Sequence, residues 1–366
     1  MLSNTKDFLA KCLATKYKVV KTQANFNNEI GLPKTLFDIT ADTDIAVVEM
    51  GMRGMHQIES LCRLAKPESG LVTNVGDAHL ELLGSHENIA KAKSELVVDL
   101  PRSGYAVLNG DNEYTRKMGE VTSADKVFFG FNPENDYYAE NVTMNLTGTD
   151  FVCVEKYSGK KVNVHLPVLG AHNVYNALAA MTMALGYGGE LEASAQALRD
   201  AVLSQRRLEL VQKQGITFID DSYNAAPDSV KSALNTLMAT EGKRHVAMLG
   251  DMFELGFESE NGHRSVGAYA AEKGVDMCLF IGEKARAMLD GWVQYNEEAG
   301  YRESIKKLVD MPLIYANEDT GTQAEHFPNK EMVIAHCMEH LMPGDVVLIK
   351  ASNGMHLDKI VERIME

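Results

Sequence analysis

Three polar residues stand where short apolar runs end, and their types suit metal and phosphate chemistry. Glu49 closes Asp44-Ile-Ala-Val-Val-Glu49 and leads into Met50-Gly-Met-Arg-Gly54, whose glycines let the backbone approach a ligand closely. Asn74 ends the run that starts at Gly70, and His79 follows five residues later. A carboxylate and an imidazole on neighbouring strand ends can hold a divalent cation. A helix-capping asparagine and a packed histidine account for the same spacing. Lys93 lies further on, in a helical Lys91-Ala-Lys93-Ser-Glu95 segment. In the second half, Asp220 and Asp221 follow a β-rich run and precede Pro227, which marks a helix start. Asp221 there is placed to accept hydrogen bonds from a ribose or an attacking amine, or else to cap the helix. Gly170-Ala-His172-Asn173-Val-Tyr-Asn176 reads as a capped helix start, and Asn109-Gly-Asp-Asn112 as a plain turn.

The elements that must position these residues follow from periodicity. An amphipathic helix carries Phe8, Leu9, Cys12 and Leu13 on one face, and strands are expected at 17–21, 44–49 and 70–75 with helices between them. Such alternation marks a parallel sheet covered by helices, which gathers ligands at the carboxyl ends of its strands. From about Lys126 to Leu169 the period falls to two, and Ser158-Gly-Lys160 supplies a hairpin turn. A second alternating series begins at Leu208, with strands expected at 217–220, 245–249, 277–281, 313–315 and 346–349. The fold class is therefore α/β, in two domains, 1–204 and 205–366. The first combines a mainly parallel sheet with a small antiparallel one; the second is Rossmann-like.

Composition narrows the partners. Of 366 residues 51 are acidic and 36 basic, a formal charge of −15 that repels nucleic acid and anionic lipid. The five cysteines are scattered, as free thiols in a reducing compartment would be, and no apolar run is long enough to cross a bilayer. The cytoplasm is the expected location.

Taken in order, the motifs resemble those of the Mur ligases. Val20-Lys-Thr-Gln-Ala-Asn-Phe-Asn27-Asn28-Glu-Ile-Gly-Leu-Pro33 is similar to the segment after that family's phosphate-loop helix, in the form taken by ligases that add D-alanyl-D-alanine to UDP-N-acetylmuramoyl-tripeptide. Glu49-Met-Gly-Met-Arg-Gly resembles its acidic strand end, and Thr73-Asn74-Val-Gly-Asp-Ala-His79-Leu its Asn…His metal motif. Ala90-Lys-Ala-Lys93-Ser-Glu is similar to its lysine segment, and Gly170 to Ala180 to the helix that approaches adenine. Arg207-Leu-Glu, Asp220-Asp221-Ser-Tyr-Asn-Ala, Leu249-Gly-Asp251-Met-Phe-Glu254-Leu-Gly and Lys350-Ala-Ser-Asn-Gly resemble successive stations of its C-terminal domain.

The resemblance implies an ATP-dependent amide ligase of peptidoglycan synthesis that works through an acyl phosphate. Its partners would be UDP-N-acetylmuramoyl-tripeptide and D-Ala-D-Ala, handled by a monomer that neither binds nucleic acid nor inserts in a membrane. It implies two Mg²⁺ ions with Glu49, His79 and a carbamylated Lys93 as ligands, Lys91 being the neighbour if the register differs. Asn173, Asn176, Arg207 and Asp221 would face the nucleotide, and Asn27, Asn28 and Asn74 the substrate. Glu49, His79, Lys93 and Asp221 are expected on one cleft. Two departures stand out. Where relatives carry Gly-x-x-Gly-Lys-Thr-Thr, this chain reads Met1-Leu-Ser-Asn4-Thr5-Lys6-Asp7, so these 366 residues by themselves are expected to bind nucleotide weakly and turn over little. Asn353 stands where many relatives have arginine. Other amide ligases of the superfamily (folylpolyglutamate or cyanophycin synthetase types) and a non-catalytic remnant of the fold are the alternatives.

Overall fold

The computed structural model describes residues 2–76, 79–145, 147–201, 208–306 and 314–365. The chain divides into two compact units, Met1–Ser204 and Gln205–Glu366.

In chain order the first unit holds α1 (Leu2–Leu13), β1 (Val19–Lys21), α2 (Gly31–Phe37), β2 (Ile45–Val47), α3 (Gln57–Ala65), β3 (Gly70–Val72), α4 (Leu80–Leu83) and α5 (His86–Val98). Then come β4 (Tyr105–Asn109), α6 (Glu113–Met118), β5 (Asp125–Gly130), β6 (Tyr137–Asn145), β7 (Gly148–Glu155), β8 (Lys161–Leu166), α7 (Ala171–Gly186) and α8 (Leu191–Arg199). Local chemistry sets the helix starts near the site: Ser85 Oγ accepts from Asn88 N at 3.2 Å and Asn112 Oδ1 from Thr115 N at 3.1 Å. β3, β4, β5 and β6 run parallel, and β7 and β8 extend the same six-stranded sheet antiparallel. The strand exits at Glu49 and Asn74 belong to different ladders: β2 pairs with β1 alone, and among the described residues no ladder joins it to β3. Each of these strands is only three residues long. The apolar face of α1 (Phe8, Cys12, Leu13) packs with Leu178 and Met181 of α7 in one core, while α3, β3, α5 and β4 share another.

The second unit holds β9 (Glu209–Lys213), β10 (Ile216–Asp220), α9 (Pro227–Ala239), β11 (Arg244–Gly250), α10 (Ser259–Glu272), β12 (Met277–Ile281) and α11 (Arg286–Glu298). β13 (Glu303–Lys306), β14 (Ile314–Asn317), β15 (Gln323–Phe327), α12 (Lys330–His340), β16 (Asp345–Lys350) and α13 (Asp358–Met365) complete it. Its eight strands run β13-β14-β15-β12-β11-β16-β10-β9, parallel from β15 to β10 and antiparallel at both edges. β11, β12 and β16 have apolar side chains on both faces, as central strands sandwiched by helices require. No described helix is long and apolar enough to cross a membrane.

Candidate active site

At the exit of β2 the backbone N–H of Glu49 donates to Thr22 Oγ1 at 3.0 Å, which fixes where its side chain begins. The carboxylate is buried. Oε1 accepts from Asn27 Nδ2 at 2.9 Å. Oε2 has no hydrogen-bond donor and lies 3.7 Å from the Lys6 ammonium, which itself donates to Ala24 O at 3.0 Å. Gly51 is needed beside this pair, because a Cβ there would stand 2.9 Å from Asn27 Cγ. The second asparagine, Asn28, faces inward to its own loop: its oxygen accepts from Ile30 N and Gly31 N.

The segment after β3 is pinned through three consecutive carbonyls. Asn109 Nδ2 donates to Thr73 O at 2.9 Å, Lys93 Nζ to Asn74 O at 2.7 Å, and Asn112 Nδ2 to Val75 O at 3.0 Å. The Asn109–Asn112 turn thus does more than reverse the chain: with Asp111 accepting from Phe131 N, Asn132 N, Asn135 Nδ2 and Tyr175 Oη, it organises the exits of β4 and β5. Asn74 Oδ1 accepts from Thr73 Oγ1 at 3.4 Å. His79 adopts φ 70° directly before α4, and residues 77 and 78 lie outside the described set. Of the two lysines on α5, Lys91 is exposed and Lys93 turns inward. Burial pushes the Lys93 ammonium down from its ordinary 10.5 to about 8, so a large fraction is neutral amine in mildly alkaline solution.

Asn173 and Asn176 are enclosed between α7 and α1. Asn173 Oδ1 accepts from Asn4 Nδ2 at 3.0 Å and from Asn176 Nδ2 at 3.1 Å, while Asn176 Oδ1 accepts from Thr5 Oγ1 at 2.9 Å. Both are fully buried, so holding α1 accounts for both side chains. Arg207 lies outside the described residues. In the second unit Asp221 Oδ2 is 2.5 Å from Lys350 Nζ, which also donates to Asn224 O at 2.8 Å. Sequence patterns offered no sign of Lys6 or Lys350 as partners, since each pairing joins side chains far apart in the chain.

A divalent cation that also binds substrate phosphates needs few protein oxygens. Glu49 Oε2, buried and lacking a donor, fits that demand, and a neutral Lys93 amine is in the state that can take up CO₂ to become an anionic oxygen ligand. Among the described residues no three His, Cys, Asp or Glu side chains cluster at metal-binding distance.

A parallel, helix-covered sheet with a buried acidic strand exit, followed by a Rossmann-like unit, matches two family profiles: the Mur ligase middle domain over residues 3–184 and the Mur ligase glutamate ligase domain over 206–353. The chain belongs to the Mur ligase family. It is 32% identical, over its full 366 residues, to the UDP-N-acetylmuramoyl-tripeptide–D-alanyl-D-alanine ligase of Bacillus subtilis, of which it covers 74%. With the ligase of the same name from Escherichia coli it shares 36% over 289 residues, 78% of this chain and 63% of that one. Its fold superposes on MurF from Acinetobacter baumannii with a TM-score of 0.86 at 26% identity, covering all of this chain and 74% of that one.

Proposed function

We propose that this protein joins D-alanyl-D-alanine to UDP-N-acetylmuramoyl-tripeptide in the cytoplasm, driven by ATP and acting as a monomer. The γ-phosphoryl group passes to a terminal carboxylate oxygen of the tripeptide and ADP leaves. The dipeptide amine attacks the activated carbonyl carbon, and the tetrahedral intermediate expels phosphate and loses a proton to give the amide. Mg²⁺, when bound, supplies neutralisation of the phosphoryl oxygens. Glu49 offers the free carboxylate oxygen to it, with His79 and Lys93 as the other candidate ligands; Asn27 and Lys6 hold Glu49 in place. The pinned carbonyls of Thr73, Asn74 and Val75 keep the neighbouring strand exit rigid, as positioning catalysis requires. Asn173 and Asn176, which steady α1, are with Arg207 and Asp221 the candidates for nucleotide contact.

The observation that carries this reading is the buried Glu49 carboxylate, one oxygen tied to Asn27 and the other without a donor. The Lys6 ammonium, 3.7 Å away, balances the buried charge without making a hydrogen bond to that oxygen, which leaves the oxygen able to take a cation. The test uses the protein as its gene encodes it, supplied with ATP, Mg²⁺, tripeptide nucleotide and D-Ala-D-Ala, with product read by mass. The expected product is the pentapeptide nucleotide, one phosphate being released per amide. ATP-dependent joining of a different amine in preference to D-Ala-D-Ala would refute the substrate assignment.

A further inference from the structure

Three strand-exit loops of the second unit are tied into one platform that nothing above uses. Asp251, just past β11, accepts from Ala285 N at 2.7 Å through Oδ1 and from Ser352 N at 3.0 Å through its carbonyl. Phe253 N donates to Ser352 Oγ at 2.7 Å, and Met252 N to His263 Nε2 at 2.9 Å, so the loops after β11, β12 and β16 and the helix α10 are mutually fixed. Two glycines permit the close fit. A Cβ on Gly282, at φ 114°, would meet Asp251 Oδ1 at 2.5 Å, and one on Gly354 would press on the Phe253 ring at 3.0 Å. This network turns the Asp251 carboxylate inward and leaves the Phe253 ring, 38% exposed, and the exposed Lys284, its Nζ 5.5 Å from the ring centroid, on an outer edge that also carries the exposed Glu254 and Glu283. The Phe253 ring is the cation–π partner of the Lys284 ammonium. A rigid edge presenting one ammonium beside one aromatic face suits a small ligand with a carboxylate and a methyl group, and it lies at the carboxyl ends of parallel strands, where such sheets receive ligands.

We propose that Lys284 and Phe253 select the incoming dipeptide: Lys284 binds the terminal carboxylate of D-Ala-D-Ala and Phe253 packs against its methyl groups. This assignment rests on the ligase reading above and adds to it the residues that recognise the amine substrate. A carboxylate met by a positioned ammonium is a charge-assisted contact, whereas an amide in its place forfeits the charge.

The experiment compares binding of D-Ala-D-Ala and its C-terminal amide by calorimetry, using the whole protein and its Lys284→Gln, Lys284→Arg and Phe253→Ala variants. The wild type is expected to prefer the acid about tenfold. Lys284→Gln should lose that preference while binding the amide as the wild type does, Lys284→Arg should keep most of it, and Phe253→Ala should weaken both ligands together. Retained preference in Lys284→Gln overturns the proposal, as does a wild type that binds acid and amide equally or binds neither. A Lys284→Gln variant that binds both ligands more weakly than wild type by the same factor overturns it too, since that is a structural loss. The ligase reading is judged apart from these results, by the mass of its product.

Discussion

At the scale of single residues, the second unit's buried pair is the most exposed to test. Lys350 is 3% exposed and its ammonium lies against Asp221, itself 9% exposed. Removing one partner of such a pair strands the other charge in a poorly solvated place, which costs far more than the pair contributes. Lys350→Met is therefore expected to destabilise the protein by about 3 kcal/mol, and Lys350→Met with Asp221→Asn by clearly less. Denaturant midpoints for the two variants check this; a double mutant no more stable than the single one would contradict it. The contrast with Glu49 is instructive. Glu49 stood out in the sequence because its carboxylate closes an apolar run and is followed by glycines. Its holders Asn27 and Lys6, and the pins Asn109 and Asn112, did not. The hydrogen bonds of the three asparagines span 22 to 37 residues and the Lys6–Glu49 ion pair 43, and no local pattern encodes which group a distant side chain will reach.

At the scale of elements, strands with apolar centres were readable almost to the residue: 277–281 is β12 as expected, and β11 and β16 extend one residue beyond their expected ends. β15 was missed because its centre is polar, Gln323-Ala-Glu325-His-Phe327. Glu325 is buried against α12, where His336 Nε2 lies 3.5 Å from its Oε1 and the His336 ring stacks on His340 at 4.1 Å. Burial pushes the Glu325 carboxyl up to about 7 and the His336 imidazole down to about 4. Glu325 holds its proton more tightly folded than unfolded, so its contribution to stability is lost as pH rises through about 7. His336 holds its proton less tightly folded, so its contribution is lost as pH falls from its ordinary 6.5 toward about 4. Between 4.5 and 6.5 the pair binds about one proton in either state, and the two effects cancel. Glu325→Gln should therefore gain on the wild type by about 1.4 kcal/mol between pH 6 and pH 9. Denaturation midpoints across that range would show parallel curves if Glu325 did not titrate there.

At the scale of the whole molecule, the excess of acidic residues limits partners, while the division at Ser204 makes a prediction about folding. The eight-stranded sheet is built entirely from residues 209–350, with parallel strands at its centre and antiparallel strands closing both edges. Its core, from Ile216 and Phe218 through Val246, Leu279 and Phe327 to Ile360, draws on that unit alone. A sheet whose ladder partners and apolar cover both lie within one stretch of some 160 residues has what an independent domain needs. Residues 205–366 expressed alone are thus expected to fold and to unfold cooperatively. The single tryptophan of the chain provides the readout, because Trp292 sits on α11, fully buried in this unit. Its emission should be blue-shifted in the fragment and move to the red in one transition, with a midpoint close to that seen for the same residue in the whole chain. Circular dichroism of the whole chain, which also reports the helices of the first unit, need not follow that curve. A fragment whose tryptophan already emits as if in water, without denaturant, would mean that this unit depends on the first for its core, despite a sheet and apolar cover drawn from its own residues.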